Sequence, residues 1–123
     1  MSASPKIVVV GVCASGKTTL VEGLRARGYR ARSVALEHSN VPRLWTYHDP
    51  DFLVVLDCSL DTIRKRRLIP WGEERLRAQR RRLSHARQHC HLYLCTDNLS
   101  VEEMVDRVIA ALEKHQKEGK GGG

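Results

Sequence analysis

No stretch of this sequence approaches the roughly 18 consecutive apolar residues that a membrane-spanning helix needs. Runs such as Ile7-Val8-Val9-Val10 and Phe52-Leu53-Val54-Val55-Leu56 are far shorter. No internal repeat is present, which excludes solenoid and propeller arrays. The four cysteines, Cys13, Cys58, Cys90 and Cys95, show no C-x-x-C spacing. They read as reduced thiols of a cytoplasmic protein rather than as a disulfide framework. Met1-Ser2-Ala3-Ser4-Pro5-Lys6 leads straight into the first apolar run and does not read as a secretory signal. His85, His89, His91 and Cys90 lie close in sequence, but no H-E-x-x-H frame accompanies them and neighbouring arginines would repel a cation. A zinc site is therefore not expected.

Acidic residues are in short supply, 14 against 21 lysines and arginines for a net charge of +7, and the imbalance is local. Between Arg64 and His91 stand Arg64, Lys65, Arg66, Arg67, Arg75, Arg77, Arg80, Arg81, Arg82 and Arg87, opposed only by Glu73 and Glu74. Three uses are open for this stretch. It can be a solvated helix face, a guanidinium clamp on phosphoryl oxygens, or a stripe for a nucleic-acid backbone. No stacking aromatic Phe, Tyr or Trp stands among the arginines from Arg75 to Arg87, which disfavours the last use.

What is present is Gly11-Val12-Cys13-Ala14-Ser15-Gly16-Lys17-Thr18, directly behind the run Ile7–Val10. It fits the Walker A pattern G-x-x-x-x-G-K-[ST] at every fixed position, between an apolar strand and the helical pattern of Thr18 to Leu24. The two glycines let the backbone turn tightly, so that successive N–H groups can face one concavity. A helix N-terminus just beyond adds unpaired donors and partial positive charge. The expected binding set for a nucleoside triphosphate is Gly11, Cys13, Ala14, Ser15, Gly16, Lys17, Thr18 and Thr19. Lys17 would reach the β- and γ-phosphates and Thr18 would ligate Mg²⁺. Thr19 is better suited to supporting the helix turn.

The rest of the chain reads as one compact domain over residues 1–113, followed by a flexible tail at 114–123. Arg27-Gly28-Tyr29 has the form of a glycine-capped helix end. Ala31 to Leu36 reads as a short strand ending at Glu37-His38. The segment 39–50 reads as a loop with one helical turn around Val41–Trp45, where Trp45 either covers the core edge or helps bind an acceptor. Asp51 to Asp57 is the clearest strand after the first, and Ser59 caps a helix over Leu60–Arg67. Pro70 stops that helix, and a second is predicted from Trp71 to Gln88 with Leu76, Leu83 and Ala86 inward. His91–Cys95 is the last strand. Ser100-x-x-Glu103 is a capping box opening a helix that turns Val101, Met104, Val105, Val108, Ile109 and Leu112 inward. The pattern predicts an α/β fold, a small three-layer sandwich around a parallel sheet of about four strands.

The Walker A motif, the strand–arginine-helix unit Leu53–Arg67 and the ending Thr96-Asp97-Asn98-Leu99-Ser100 before the last helix resemble the P-loop kinase family. That family contains the adenylate, shikimate and nucleoside kinases. The resemblance spans residues 6–112, and its specific part is the Walker A motif. It implies a P-loop NTPase fold, shortened by about one strand and without an acceptor-binding insertion. It further implies ATP and Mg²⁺ as ligands, phosphoryl transfer to a small acceptor, and arginines such as Arg67 leading into a lid. The family's usual metal-associated acid sits on the strand missing here. Asp57, which follows four apolar residues, would serve Mg²⁺ instead, or would merely cap the next helix. Glu37 stands where nucleoside kinases often keep the carboxylate that takes the acceptor's proton. A non-kinase ATP-binding module working with a partner is the alternative. The Asn-Lys-x-Asp motif of guanine-specific relatives is absent.

Overall fold

The computed structural model describes residues 4–121. Its architecture is α/β: a four-stranded parallel sheet with five α-helices divided between its two faces. The strands are β1 (Lys6–Gly11), β2 (Arg30–Ser33), β3 (Phe52–Asp57) and β4 (Leu92–Cys95), in spatial order β2-β1-β3-β4. The helices are α1 (Lys17–Ala26), α2 (Leu60–Arg66), α3 (Glu73–Arg82), α4 (Ser84–His89) and α5 (Val101–Gly121).

The central strands β1 and β3 are the uninterrupted apolar runs, as expected for strands covered on both faces. They pair in register from Ile7 opposite Phe52 to Gly11 opposite Leu56. Alternation then sorts their side chains. Ile7, Val9, Phe52, Val54 and Leu56 pack with Leu20 and Leu24 of α1 and Met104, Val105, Val108 and Leu112 of α5. Val8, Val10, Leu53 and Val55 pack with Leu60 and Ile63 of α2, Leu76 of α3, Leu83, and Ala86 of α4.

Local signals act as their chemistry dictates. Gly28 (φ +88°) closes α1 in a Schellman motif, with Tyr29 N–H donating to Leu24 O at 3.0 Å and Gly28 N–H to Arg25 O at 2.9 Å. Ser59 Oγ accepts from Thr62 N–H at the start of α2. Ser100 and Glu103 form the reciprocal capping box at 3.1 and 3.0 Å.

Three boundaries and the placement of one side chain differ from the sequence reading. β2 stops at Ser33, because Ala35 (φ −79°, ψ 56°) makes an inverse γ-turn and Leu36–His38 then closes a 3₁₀ turn. The helix expected from Trp71 to Gln88 breaks at Leu83 into α3 and α4. Residues 114–121, expected as tail, continue α5, where Glu113 and Lys117 stand at the favourable i, i+4 spacing on a run of good helix formers. Val101 stays exposed at the start of that helix instead of turning inward. Among the described residues no helix is long and apolar enough to cross a membrane.

All four strands run the same way, so Gly11, Ser33, Asp57 and Cys95 end on one rim. β1 connects outward to β2 and β3 connects outward to β4, which places the switch in winding direction between β1 and β3. The loop leaving β1 lies at that switch, where open α/β sheets bind ligands.

Candidate functional site

The loop Gly11–Gly16 is held by contacts from four sides. Val12 N–H donates to Leu56 O of β3 at 3.3 Å, and Ser15 N–H closes back on Val12 O at 3.2 Å. Cys13 N–H donates to Oε1 of Gln79, a buried side chain of α3, at 2.8 Å. Arg66, at the end of α2, donates to Ala14 O at 2.7 Å and to Thr96 O at 2.8 Å. Thr96 Oγ1, fully buried, donates in turn to Ser15 O at 2.8 Å. Ala14 and Gly16 both take positive φ (58° and 103°), and at Ala14 that conformation is strained for a residue with a side chain. Gly11 allows the closest approach: a Cβ there would meet Ser15 Oγ at 2.6 Å and Leu56 O at 2.7 Å.

Lys17 opens α1, and its ammonium has three acceptors: Gly11 O at 2.8 Å, Val12 O at 3.1 Å and Glu37 Oε2 at 2.7 Å. Glu37 is buried in the 3₁₀ turn after β2, and Arg82 of α3 donates to its backbone carbonyl at 3.1 Å. Its second oxygen, Oε1, is buried without a hydrogen-bond partner, as is Ser15 Oγ. A buried carboxylate oxygen with no donor is costly unless something pairs with it. His38 Nε2 stands 3.8 Å from Glu37 Oε2.

These groups border a cleft of about 660 Å³, within the range of small-molecule sites. Cys13, Ala14, Gly16, Lys17, Thr18 and Thr19 form its floor. Ser33, Ala35, Glu37 and His38 form one wall, Arg66 and Arg67 a second, and Leu99, Ser100, Val101 and Met104 a third, largely apolar one. Lys17, Arg66 and Arg67 outnumber the single carboxylate, so the cleft is electropositive and suits an anion.

Of the expected residues, Cys13, Ala14, Gly16, Lys17, Thr18, Thr19, Glu37 and Arg67 line the cleft. Gly11 and Ser15 are buried and do not line it. Thr18 is exposed, whereas Thr19 Oγ1 donates back to Gly16 O at 3.0 Å and so supports the turn. Arg67 Nη1 stands 3.4 Å from Cys13 Sγ.

Asp57 does not join them. Its Oδ1 accepts from Cys58 N–H at 2.8 Å and from Arg80 Nε at 3.2 Å, and its Oδ2 accepts from Tyr93 OH. Both oxygens are thus engaged by protein donors, and Asp57, unlike Thr18, does not line the cleft. Burial, and secondly that bond to Asp57, push the Tyr93 phenol up to about 12. Among the described residues no three His, Cys, Asp or Glu side chains converge as a metal site.

Gln79 escaped the sequence reading, and Arg66, Arg82 and Thr96 were named there only within longer stretches, without these partners. Gln79 had a signal, being a neutral amide among arginines in register with Leu76 and Leu83 on the inward face. Thr96 had none, because its partner Ser15 is distant in sequence. Helices α2 and α3 are packed layers, contributing Leu60, Ile63 and Leu76 to the core, and the segment joining them carries the fully exposed Leu68. Trp45 covers the core edge, its Nε1 donating to His85 Nδ1 at 3.0 Å, and it does not line the cleft. No protein-family model matches the sequence, and no curated protein matches it significantly.

Proposed function

We propose that the chain is a P-loop nucleoside-triphosphate-binding protein of the kinase-like group. In this reading it transfers the γ-phosphoryl group of ATP to a small hydroxyl or phosphate acceptor. One observation carries the reading: the loop Gly11–Thr18, Lys17 and the Arg66–Arg67 pair all border a single electropositive cleft of about 660 Å³ at the sheet's switch point.

Each residue then has a task. The loop amides not bonded within the protein among the described residues, those of Ala14 and Gly16, and the first turn of α1 receive phosphate oxygens. Lys17 exchanges its carbonyl and Glu37 contacts for the β- and γ-phosphates. Arg66 and Arg67 offset charge that builds on the transferring group. Glu37 takes the acceptor's proton at Oε1, the oxygen that has no partner. The apolar wall of Leu99, Val101 and Met104 receives the base. The exposed Thr18 hydroxyl fits Mg²⁺, which characteristically uses one or two protein oxygens together with phosphates and water. When bound, Mg²⁺ would supply charge neutralisation on the phosphates. Four free thiols suit the cytoplasm as the proposed compartment.

A second reading, a nucleotide-binding module that acts with a partner, draws support from Asp57. That carboxylate is committed to Arg80 and Tyr93, and the segment 39–50 packs on the core instead of building an acceptor domain. The two readings separate when the protein is incubated with γ-labelled ATP, Mg²⁺ and a panel of small alcohols and phosphate esters. Label transferred to an acceptor, and lost in Lys17→Ala, supports the first reading. Binding without transfer leaves the second, and absence of nucleotide binding removes both.

A further inference from the structure

Outside the cleft, the outer layer carries a second electropositive feature. Arg77, Arg80 and Arg81 of α3 converge with Ser84 and Arg87 of α4 around a groove of about 340 Å³. Arg80 is the anchored member, held by Asp57 Oδ1 and by Cys58 O at 3.1 Å. Arg77, Arg81 and Arg87 are exposed, and among the described residues none has a carboxylate within ion-pair distance. All three face solvent, whereas Leu76, Leu83 and Ala86 of the same segment are buried. Arg77 and Arg81 stand at i, i+4, where like charges repel. The fold therefore bears a repulsion that an outside polyanion would relieve.

Two further features favour a nucleic acid over an acidic protein segment. The cations are all arginines, whose guanidinium planes stack on bases while their forks pair with phosphate oxygens, a stacking use that an acidic peptide does not offer. In addition, β4 brings an aromatic ring to the end of the groove: the Arg87 guanidinium lies 4.3 Å from the centroid of the half-exposed Tyr93 ring. That pair forms a flat platform of the kind on which unpaired bases stack. β4 thus adds a ring to a run of arginines, Arg75 to Arg87, that holds no Phe, Tyr or Trp of its own. Within α3 alone, Arg77 and Arg81 are about 6 Å apart along the axis, close to the spacing of neighbouring phosphates on an extended strand.

We propose that the α3–α4 groove binds the backbone of a single-stranded nucleic acid, with Arg77, Arg81 and Arg87 on phosphates and the Arg87–Tyr93 pair under a base. The site uses no cleft residue and does not depend on the nucleotide-binding proposal.

The test is fluorescence anisotropy of the full chain with labelled oligothymidylate, titrated at several salt concentrations. Three phosphate contacts predict a slope near −2 in log K against log salt, so affinity should fall about 20-fold between about 50 and 200 mM salt. Arg77→Gln/Arg81→Gln/Arg87→Gln should flatten that slope and weaken binding at least tenfold at low salt. These positions are exposed, and an unchanged thermal midpoint and circular dichroism spectrum would verify the fold. Tyr93→Leu should weaken oligothymidylate without altering the slope. The proposal is overturned if the wild-type chain does not bind oligothymidylate, or if the triple variant binds as well as wild type. Tighter binding of poly-L-glutamate than of oligothymidylate overturns it in favour of an acidic protein partner. Arginine-dependent self-association in sedimentation equilibrium, without oligonucleotide binding, overturns it in favour of a second copy of this chain.

Discussion

Lys17 and Glu37 are joined by a 2.7 Å ion pair whose side chains are only 14% and 5% exposed. The cation that opens α1 is thereby tied to the turn that follows β2, two elements on the same rim. Removing one partner of a buried pair leaves an uncompensated charge. Lys17→Ala should lower stability by about 3 kcal/mol in urea denaturation and abolish detectable ATP binding. Lys17→Ala/Glu37→Ala should lose less than the sum of the single changes, with a coupling of about 1–3 kcal/mol. Glu37→Gln should bind ATP at least as well as wild type, because it frees the ammonium, while losing about 100-fold or more in turnover. Additive stability effects would show the pair to be energetically idle.

Gly11 and Gly28 test different uses of glycine. A Cβ on Gly11 would collide with backbone, Leu56 O at 2.7 Å, so neither β1 nor β3 can yield cheaply. Gly11→Ala should cost about 1–3 kcal/mol and displace the loop, weakening nucleotide binding as well. Gly28 has nothing within 4 Å of a new Cβ but takes φ +88°, so Gly28→Ala should cost about 1–2 kcal/mol and leave nucleotide affinity intact. Chemical denaturation beside nucleotide titration distinguishes the two.

Much of this frame was legible because its causes are local. Ile7–Val10 and Phe52–Leu56 are buried from both faces, and Gly28, Ser59 and the Ser100–Glu103 box end or begin helices through contacts only a few residues long. What stayed hidden depends on distant partners. Asp57 looks like a metal acid from its own strand, and only the folding of α3 and β4 brings Arg80 and Tyr93 onto its two oxygens. Gln79 reads as one more polar residue of a basic helix until Cys13 N–H arrives from the other end of the chain. Glu37 was placed on the right rim by the end of β2, yet its pairing with Lys17 requires the inverse γ-turn at Ala35, which no residue preference announces.

The cysteines supply a footprint of the cleft. Cys13 lines it, Cys95 is exposed elsewhere, and Cys58 is buried, its thiol pushed up to about 12 by burial. A small maleimide followed by peptide mass spectrometry should modify Cys95 at the same rate with or without ATP and Mg²⁺, and should leave Cys58 unmodified. Cys13 should be modified in the free protein and protected by nucleotide. Identical Cys13 labelling in both conditions would place nucleotide outside the cleft.

Acid should loosen the opposite end of the sheet first. His91 Nδ1 accepts from Leu53 N–H at 2.9 Å, which requires the neutral ring, and the ring stacks on Phe52. Burial, and secondly the neighbouring His115, hold the His91 imidazole below its ordinary 6.5. The unfolded chain therefore takes up this proton first. Stability should be full above 6.5 and fall as pH drops from there through the depressed folded value. Asp97 acts lower on the scale: its bond from Ser59 N–H holds the carboxyl below 3.8, so its contribution is lost only as pH falls below that value. His91→Asn should reduce the stability change between about pH 7 and pH 5, the range in which an ordinary imidazole titrates, with the lower transition unaltered. An unchanged slope over that range would assign the acid sensitivity to other groups.

Arg66 and Arg67 are adjacent in sequence and both line the cleft, but they are tied in differently. Arg66 donates to Ala14 O and Thr96 O, bonds that hold the strained loop against the end of β4. Arg67 reaches only Cys13 Sγ, at 3.4 Å, and sits where α2 gives way to the connection 67–72, in which Leu68 and Pro70 are exposed while Ile69 and Trp71 rest on the core. Arg66→Ala should therefore cost about 1–3 kcal/mol of stability, because it removes charge-assisted bonds to two carbonyls, and should weaken ATP binding by disordering the loop. Arg67→Ala should alter stability by no more than about 0.5 kcal/mol. If Arg67 acts on the transferring phosphoryl group, its loss should lower kcat well beyond any change in KM, since charge stabilisation is strongest in the transition state. Amide exchange gives an independent check. An ATP analogue with Mg²⁺ should slow exchange at residues 67–72, the segment that can close over phosphate. It should leave the amides around Leu76 and Gln79 unchanged, because α3 is already packed against the sheet. Protection throughout α3 would mean that the whole arginine layer moves as a lid, and equal kcat and KM effects in the two variants would assign Arg67 the same anchoring role as Arg66.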